Sequence, residues 1–309
     1  MQYVNIPHTD LKISAITLGT WVFDGESWGG SDELDSLDAV AAAIDQGINL
    51  IDTAPIYGNG LAEDIVGRGI RGRRDQVLIA TKCGLIPKGK GIRIDLSPES
   101  VEKELEASLK RLKVDYIDIY QCHWPDARTP IEKTMEKLSR LREKEKIRYI
   151  GVSNFNAEIL KKACEITPIA TIQNQYSMME RQIEENILPF CQENGIGILA
   201  YGPLAGGILS GKYEIPQDFE KEDARSFFYQ YYTGAAFEKV RDLLNELKKI
   251  SQPLNQIAIN WVRQQPEVSS VIVGCRNAEQ VRQNTASTDW DLSRGELKHI
   301  RKLVEAITS

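Results

Sequence analysis

The sequence predicts an α/β protein, a (β/α)8 barrel, on three observations. Eight short apolar segments are each followed by a segment with the three- and four-residue spacing of an amphipathic helix. The apolar segments are nearly continuous, which is typical of parallel strands that are buried on both faces. No G-x-G-x-x-G follows the first strand, so an open dinucleotide-binding sheet loses its main support. Eight units therefore favour closure into a barrel.

The strands are expected near residues 16, 49, 78, 117, 150, 170, 198 and 272. A small β-hairpin is expected before them, over 3–6 and 11–14. A polar and aromatic stretch over 202–234 interrupts the alternation after the seventh strand, and extra helices are expected after it and at the C-terminus.

Most helix starts carry a local signal. The residues expected to begin helices are Ser31, Ser97 before Pro98, Thr129 in a capping box with Glu132, Asn156, and Ser293 in a capping box with Glu296.

Length and composition fit one soluble domain over residues 1–309. The chain is 42% hydrophobic and 27% charged, with a net charge of −6, which argues against general nucleic-acid binding but leaves room for a local cationic pocket. No apolar run approaches about 20 residues, and residues 1–10 do not resemble a signal peptide, so no membrane association is expected. Five cysteines without a C-x-x-C pair indicate reduced thiols in the cytoplasm. No exposed apolar stripe is evident, so a monomer is expected.

Four polar residues follow adjacent predicted strands at their carboxyl ends, where barrels of this kind hold their active sites: Asp52, Tyr57, Lys82 and His123. Singly, each could be a helix cap, a solvated lysine or a structural histidine, but together they suit proton transfer to a carbonyl oxygen. Tyrosine has an ordinary pKa near 10, and a nearby ammonium is expected to lower it. An aspartate would keep the lysine charged, and a histidine could donate to the carbonyl oxygen.

Other site types have little support. The set contains no carboxylate pair of the glycosidase kind. Only three histidines occur, at 8, 123 and 299, which argues against a histidine-rich metal site. No metal is expected.

Several segments resemble the aldo-keto reductase superfamily, and the resemblance covers nearly the whole chain. They are 16–21, 47–58 and 150–155. Segments 28–30, 120–126 and 202–204 are similar to its bacterial general-stress-protein branch. The resemblance implies an NADPH-dependent reductase of small aldehydes and ketones. It makes Tyr57 the general acid, Asp52 and Lys82 the pair that tunes it, and His123 the residue that orients the carbonyl.

The resemblance also implies a cofactor site without a dinucleotide-binding sheet. Its residues would be Thr20, Trp21, Ser153, Asn154, Gln173, Tyr201, Gly202, Pro203, Leu204, Gly206, Gly207, Arg276, Gln280, Gln283 and Asn284. Gln280 stands where several eukaryotic relatives have arginine, and Gln283 stands where many relatives have glutamate. Because Arg276 remains, NADPH is expected over NADH, which stays possible.

The substrate pocket and the long loop are less defined by the sequence. Phe23, Trp28 and Trp124 follow strand ends and are expected to line an apolar pocket. The aromatic loop over 202–234 could pack on the barrel or close over the cofactor, and its Lys212 and Arg225 could contact phosphate.

Two other functions stay open at this stage. A regulatory subunit similar to potassium-channel β-subunits would carry the same four residues and turn over slowly. Lys82 could instead form a Schiff base, as in an aldolase, although an adjacent Asp52 would hold it charged.

Overall fold

Eight parallel strands close into a barrel in the computed structural model, as the sequence predicts. The structure describes residues 1–89 and 91–308, with the side chain of residue 308 left aside. The barrel strands are β3 (Ile16–Gly19), β4 (Leu50–Asp52), β5 (Leu78–Cys83), β8 (Ile117–Cys122), β9 (Ile147–Ser153), β10 (Thr171–Gln175), β11 (Gly197–Tyr201) and β12 (Val268–Gly274). Each pairs with the next in that order, and β12 pairs with β3 to complete the circle.

Helices follow the barrel strands on the outside. They are α1 (Glu33–Asp45), α2 (Leu61–Gly69), α3 (Pro98–Leu112), α4 (Ile131–Glu143), α5 (Ala157–Ile166), α6 (Ile183–Asn194), α7 (Ala224–Phe228), α8 (Gly234–Leu247), α9 (Leu254–Arg263), α10 (Ala278–Thr285) and α11 (Arg294–Thr308). Short α7 lies within the long loop, and α8 and α11 are the predicted extra helices. Within the described residues, no helix is long and apolar enough to cross a membrane.

Two antiparallel hairpins flank the barrel. The predicted one pairs β1 (Tyr3–Asn5) with β2 (Lys12–Ser14). Its residues Ile6, Leu11 and Ile13 form one buried cluster with the barrel-strand residues Leu50, Ala80, Ile119, Leu199 and Ile272. The hairpin therefore closes the end of the barrel where the strands begin. The second hairpin, β6 (Leu85–Lys88) with β7 (Gly91–Ile94), was not predicted and follows β5 directly.

The helix caps confirm three predictions and correct two. The side chains of Ser97 and Asn156 accept hydrogen bonds from the first turns of α3 and α5. Ser293 and Glu296 bond reciprocally, as a capping box requires.

The two corrections are at α1 and α4. Asp32, not Ser31, caps α1, because its carboxylate accepts from the amides of residues 34 and 35. Thr129 does not cap α4, because its hydroxyl bonds to Asp126 at 2.8 Å, and the helix begins after Pro130.

Candidate active site

The four predicted polar residues meet at the carboxyl ends of three neighbouring strands. Asp52 ends β4, Lys82 is the penultimate residue of β5, and His123 follows β8. Tyr57 begins the short 3-10 turn after β4. Side chains of a strand alternate between the two faces, so Lys82 points into the barrel from β5.

Lys82 holds the centre of the group. Its Nζ lies 2.5 Å from Oδ1 of Asp52 and 3.1 Å from the hydroxyl oxygen of Tyr57. A third bond runs to the carbonyl oxygen of Thr53 at 3.0 Å. An ammonium has three donors, so these acceptors engage all of them. The phenol oxygen of Tyr57 accepts from Lys82, which leaves its own proton free for another acceptor.

His123 stands beside Tyr57 across the mouth of the barrel. The ring centroids are 5.8 Å apart and the planes are almost perpendicular, at 86°. Tyr57 is 8% exposed and His123 9% exposed, so both are largely shielded from water. A small carbonyl group lying between the two rings could accept from both.

Burial controls the proton affinities of the group. It raises the pKa of Tyr57 well above 10, and the charges of Asp52 and Asp24 raise it further. It also lowers the pKa of His123 well below 6.5, with a smaller contribution from the charge of Lys82. Tyr57 is therefore a protonated phenol and His123 a neutral imidazole at neutral pH. The sequence predicted a lowered pKa for Tyr57, whereas its pKa in this environment is raised, by burial first and then by the charges of Asp52 and Asp24.

Lys82 itself is pulled in two directions. Burial is the larger effect and lowers its pKa, whereas Asp52, and then Glu63, act to raise it. The 2.5 Å contact with Asp52 is the partner that offsets the cost of burying this charge.

Two glutamines, which point into the barrel, bind the other oxygen of the Asp52 carboxylate. Nε2 of Gln173 lies 2.7 Å from Oδ2, and Nε2 of Gln121 lies 3.2 Å from it. Gln121 is a site residue that the sequence did not predict. Its signal was an amide two residues before His123 near the end of β8, where it pairs in register with Lys82.

The residues expected around the nicotinamide form one network beside His123. The side-chain amide of Asn154 donates to the backbone carbonyl of His123 at 3.0 Å, and its oxygen accepts from the hydroxyl of Tyr201. Ser153 donates to the backbone carbonyl of Gln173. Thr20 is fully buried, and its hydroxyl donates to the backbone carbonyl of Asp52. It therefore joins the segment after β3 to the end of β4.

The loop after β11 turns through glycines with positive φ. Gly206 has φ of 72°, and a Cβ there would lie 2.7 Å from Tyr229 and 2.9 Å from Tyr232. Lys212 stands against the next glycine, since a Cβ on Gly207 would lie 3.5 Å from its Cε. Gly202 also has positive φ, and Pro203 and Leu204 join it to this turn. Glycine-rich turns with a neighbouring cation are among the backbone sites that can bind phosphate.

The residues expected at the adenosine end have partners within the protein. The guanidinium of Arg276 donates to the carbonyl of Trp28, and its amide donates to the side chain of Gln280. Gln283 is exposed and bonds Glu279. Asn284 is buried, with its side chain on Asn255 and Cys275. Arg276 is the one charged residue among the four, and its guanidinium lies against the backbone at Trp28.

Aromatic rings form one wall of the site. Trp21 lies parallel to Tyr57, with centroids 5.7 Å apart. Trp28 and Phe228 meet Trp21 edge-on at 5.2 and 5.4 Å. Phe23 is fully buried in the core, so its predicted place in the pocket lining is wrong. Trp124 is half-buried, one residue beyond His123.

The long loop packs on this wall through α7. The amide of Ala224 donates to the carbonyl of Ser27 at 2.7 Å. Arg225 is held by the carboxylate of Asp223 and by the hydroxyl of Tyr213 at 2.7 Å, so its cation is already paired. The sequence left open whether this loop packs on the barrel or closes over the cofactor. The structure shows that it packs on the barrel.

Comparison with known proteins gives one consistent result. The model of the Aldo/keto reductase family matches residues 15–305. A Bacillus subtilis protein named aldo-keto reductase YhdN is 39% identical, covering 99% of this chain and 94% of that protein. An Escherichia coli protein named NADH-specific methylglyoxal reductase is 35% identical, covering 99% of both. The solved structure of a glycerol dehydrogenase from Gluconobacter oxydans superposes with a TM-score of 0.90 at 37% identity, covering 98% of this chain and 95% of that one.

Proposed function

The chain belongs to the aldo/keto reductase family of oxidoreductases, and from that premise we propose that it reduces small aldehydes and ketones to alcohols with Tyr57 as general acid. The observation that carries the proposal is the hydrogen bond from Nζ of Lys82 to the phenol oxygen of Tyr57, at 3.1 Å, next to the aromatic wall formed by Trp21. A donor that is fixed by its oxygen presents its proton in one direction, toward the space next to His123.

In the proposed mechanism, the substrate oxygen lies between Tyr57 and His123. A nicotinamide cofactor, when bound, supplies the hydride that reduces the carbonyl carbon. Neutral His123 donates a hydrogen bond that orients the carbonyl, and Tyr57 gives its proton to the oxygen as negative charge develops there. An alkoxide is a stronger base than a phenolate, so this transfer is favourable although the pKa of Tyr57 is raised. Lys82 then stabilises the phenolate that remains.

Several side chains around the site suit a nicotinamide cofactor. Ser153, Asn154 and Tyr201 would hold the nicotinamide end, and the turn at 206–207 with Lys212 would meet the phosphates. We propose NADPH rather than NADH, because Arg276 offers a cation for a 2′-phosphate. The Escherichia coli relative is named for NADH, so the preference has to be measured for this chain.

Schiff-base chemistry at Lys82 is disfavoured by the same geometry. The three acceptors around its Nζ match the three N–H bonds of an ammonium. An ammonium has no lone pair with which to attack a carbonyl carbon.

The test of the catalytic proposal is Tyr57→Phe, assayed with methylglyoxal, 4-nitrobenzaldehyde and both cofactors. The loss of the proton donor is expected to lower kcat by roughly 100-fold or more. Cofactor affinity, measured by fluorescence titration, should change less than about threefold, because the ring remains.

Tyr149→Phe is the matched control, since its hydroxyl bonds Asp10 at the opposite end of the barrel. It should keep full activity. A Tyr57→Phe enzyme that retained a third of the wild-type kcat would contradict the proposal. Cofactor retention with negligible turnover in the wild type would instead favour a regulatory subunit.

The test of the cofactor proposal is Arg276→Gln. We expect KM for NADPH to rise about tenfold while KM for NADH stays within twofold, because one charged contact to phosphate is removed. Arg282→Gln, in the helix α10 that follows Arg276 and paired with Glu279, is the control. An equal change for both cofactors would show that Arg276 does not read the 2′-phosphate.

A further inference from the structure

Asp52 is fixed at both carboxylate oxygens, and only one of them faces Lys82. Oδ1 lies 2.5 Å from Nζ of Lys82, whereas Oδ2 accepts from the two glutamine amides. A carboxylate held at one oxygen could rotate and share its charge between both. Donors on Oδ2 restrict that rotation and keep Oδ1 directed at Lys82.

The two glutamines are not equivalent. Gln173 lies in the middle of β10. The resemblance to the family places a contact with the nicotinamide there, so its amide would have a second use. Gln121 is fully buried. It also offers its side-chain oxygen to Nε2 of Gln173 at 3.4 Å, which links the two amides. Gln121 is therefore the donor to Asp52 whose place is independent of the cofactor.

The barrel keeps room for the Gln121 side chain. Gly151 of β9 is its partner in register. A Cβ on Gly151 would lie 2.8 Å from Cγ of Gln121 and 2.7 Å from the hydroxyl of Thr171. Any larger residue at 151 would push the amide away from Asp52.

We propose that Gln121 is a positioning residue of this site, which holds Oδ2 of Asp52 and so keeps Oδ1 on Lys82 as Tyr57 gives up its proton. The proposal rests on the proposed function and adds a residue to it. Gln121 would touch neither substrate nor cofactor and would act through Asp52.

The first test is Q121L, which removes the amide donor and replaces it with an apolar side chain of similar volume. Its kcat for reduction is expected to fall roughly tenfold, since hydrogen bonds to charged groups are among the stronger ones. KM for the carbonyl and the Kd of the cofactor should stay within twofold. In the Asp52→Asn background the same change should have no further effect, because the two residues act as a unit.

The second test is Q121E, which keeps the shape and adds a titratable group beside Asp52. At low pH its protonated carboxyl can still donate to Oδ2, and as it ionises it repels Asp52. Reduction by Q121E should therefore fall with rising pH, where the wild type should not. Q121E also carries the test if Q121L does not fold, which circular dichroism would show.

Thr171→Val is the control for disturbance of the same interior space, because Thr171 packs against Gly151 and makes no bond to Asp52. It should keep kcat within twofold. A Q121L enzyme with wild-type kcat and pH profile, or a further tenfold loss in the Asp52→Asn background, would overturn the proposal for Gln121. Full activity in Tyr57→Phe would instead overturn the proposed function, and the Gln121 proposal with it.

Discussion

Tyr57 keeps its proton because of where it lies rather than because of which residues stand near it in sequence. Burial is the largest effect, and the carboxylates of Asp52 and Asp24 add to it. A phenol with a raised pKa is a weaker acid, but it stays protonated at neutral pH and so always has a proton to give to an alkoxide. The residue is thus suited to the reductive direction over the whole neutral range.

This direction of the pKa gives a prediction for the dependence of rate on pH. Reduction needs the phenol, which stays protonated when its pKa is raised, so kcat should be flat from pH 6 to 9. Oxidation of the alcohol needs the phenolate, so its rate should rise about tenfold per pH unit over the same range. Initial rates in both directions, in one buffer series at constant ionic strength, would check this.

His123 adds a second part to the same profile. Because its pKa is well below 6.5, no inflection should appear near pH 6.5 in either direction. A fall in the reduction rate with a midpoint between pH 7 and 9 would contradict the raised pKa of Tyr57.

Among the structural elements, the turn after β11 requires a glycine at position 206. The backbone at Gly206 has φ of 72°, and two tyrosine side chains of the long loop occupy the space where a Cβ would lie. The hydroxyl of Tyr232 donates to the carbonyl of Gly206 at 2.8 Å, which fixes the turn from outside. The loop and the turn therefore form one unit.

Gly206→Ala should disturb this unit. We expect the Kd of the nicotinamide cofactor to rise at least tenfold, because the new methyl group displaces the turn by its clash with Tyr229. Gly72→Ala is the matched control, since Gly72 also has positive φ but nothing within 4 Å of its Cβ position. It should lower the free energy of unfolding by about 1 kcal/mol and leave cofactor binding unchanged. Equal Kd values for the two variants would contradict the prediction.

Some elements can be predicted from sequence because their signals are local. Ser97 with Pro98 marks the start of a helix through a side chain and the residues next to it. The same local logic predicted Thr129 as a cap and was wrong, since Asp126 takes that hydroxyl. The β6–β7 hairpin was missed, although a Lys-Gly-Lys-Gly run between apolar residues could have indicated it.

The site shows the same limit more clearly. Its four polar residues could be found because strand ends can be read from the chain. The contact of Gln121 with Asp52 could not be predicted, because it depends on how separate strands meet in the barrel. The pKa of Tyr57 could not be predicted either, because it depends on burial.

Across the whole molecule, the two ends of the barrel have different tasks. The site lies where the strands end, and a charge network around one buried aspartate lies near where they begin. Asp118 of β8 is 1% exposed at its side chain and pairs with Arg74 and Arg148 at 2.7 Å each. Arg148 continues to Asp10 of the first hairpin at 2.8 Å. This network ties three parts of the chain together far from the chemistry.

Asp118→Asn should therefore lower stability and spare activity. The free energy of unfolding is expected to fall by about 2 kcal/mol, less than for a fully buried pair because both arginines are partly exposed and can be hydrated. Urea unfolding would measure it, and kcat at 25 °C should stay within twofold. Asp45→Asn, which breaks an exposed pair with Arg73, should cost less than about 0.5 kcal/mol. A tenfold loss of kcat in folded Asp118→Asn would contradict the separation of the two ends.

Closure of the barrel also bears on how molecules of this protein meet one another at high concentration. Each barrel strand has a neighbour on both sides, so among the described strands free edges remain only on the two short hairpins. Their strands are three or four residues long, and one contains Pro87, which has no amide hydrogen to offer. The folded protein thus presents little backbone on which another chain could add a strand. Precipitation during expression or storage would then begin from chains that have not yet closed the circle.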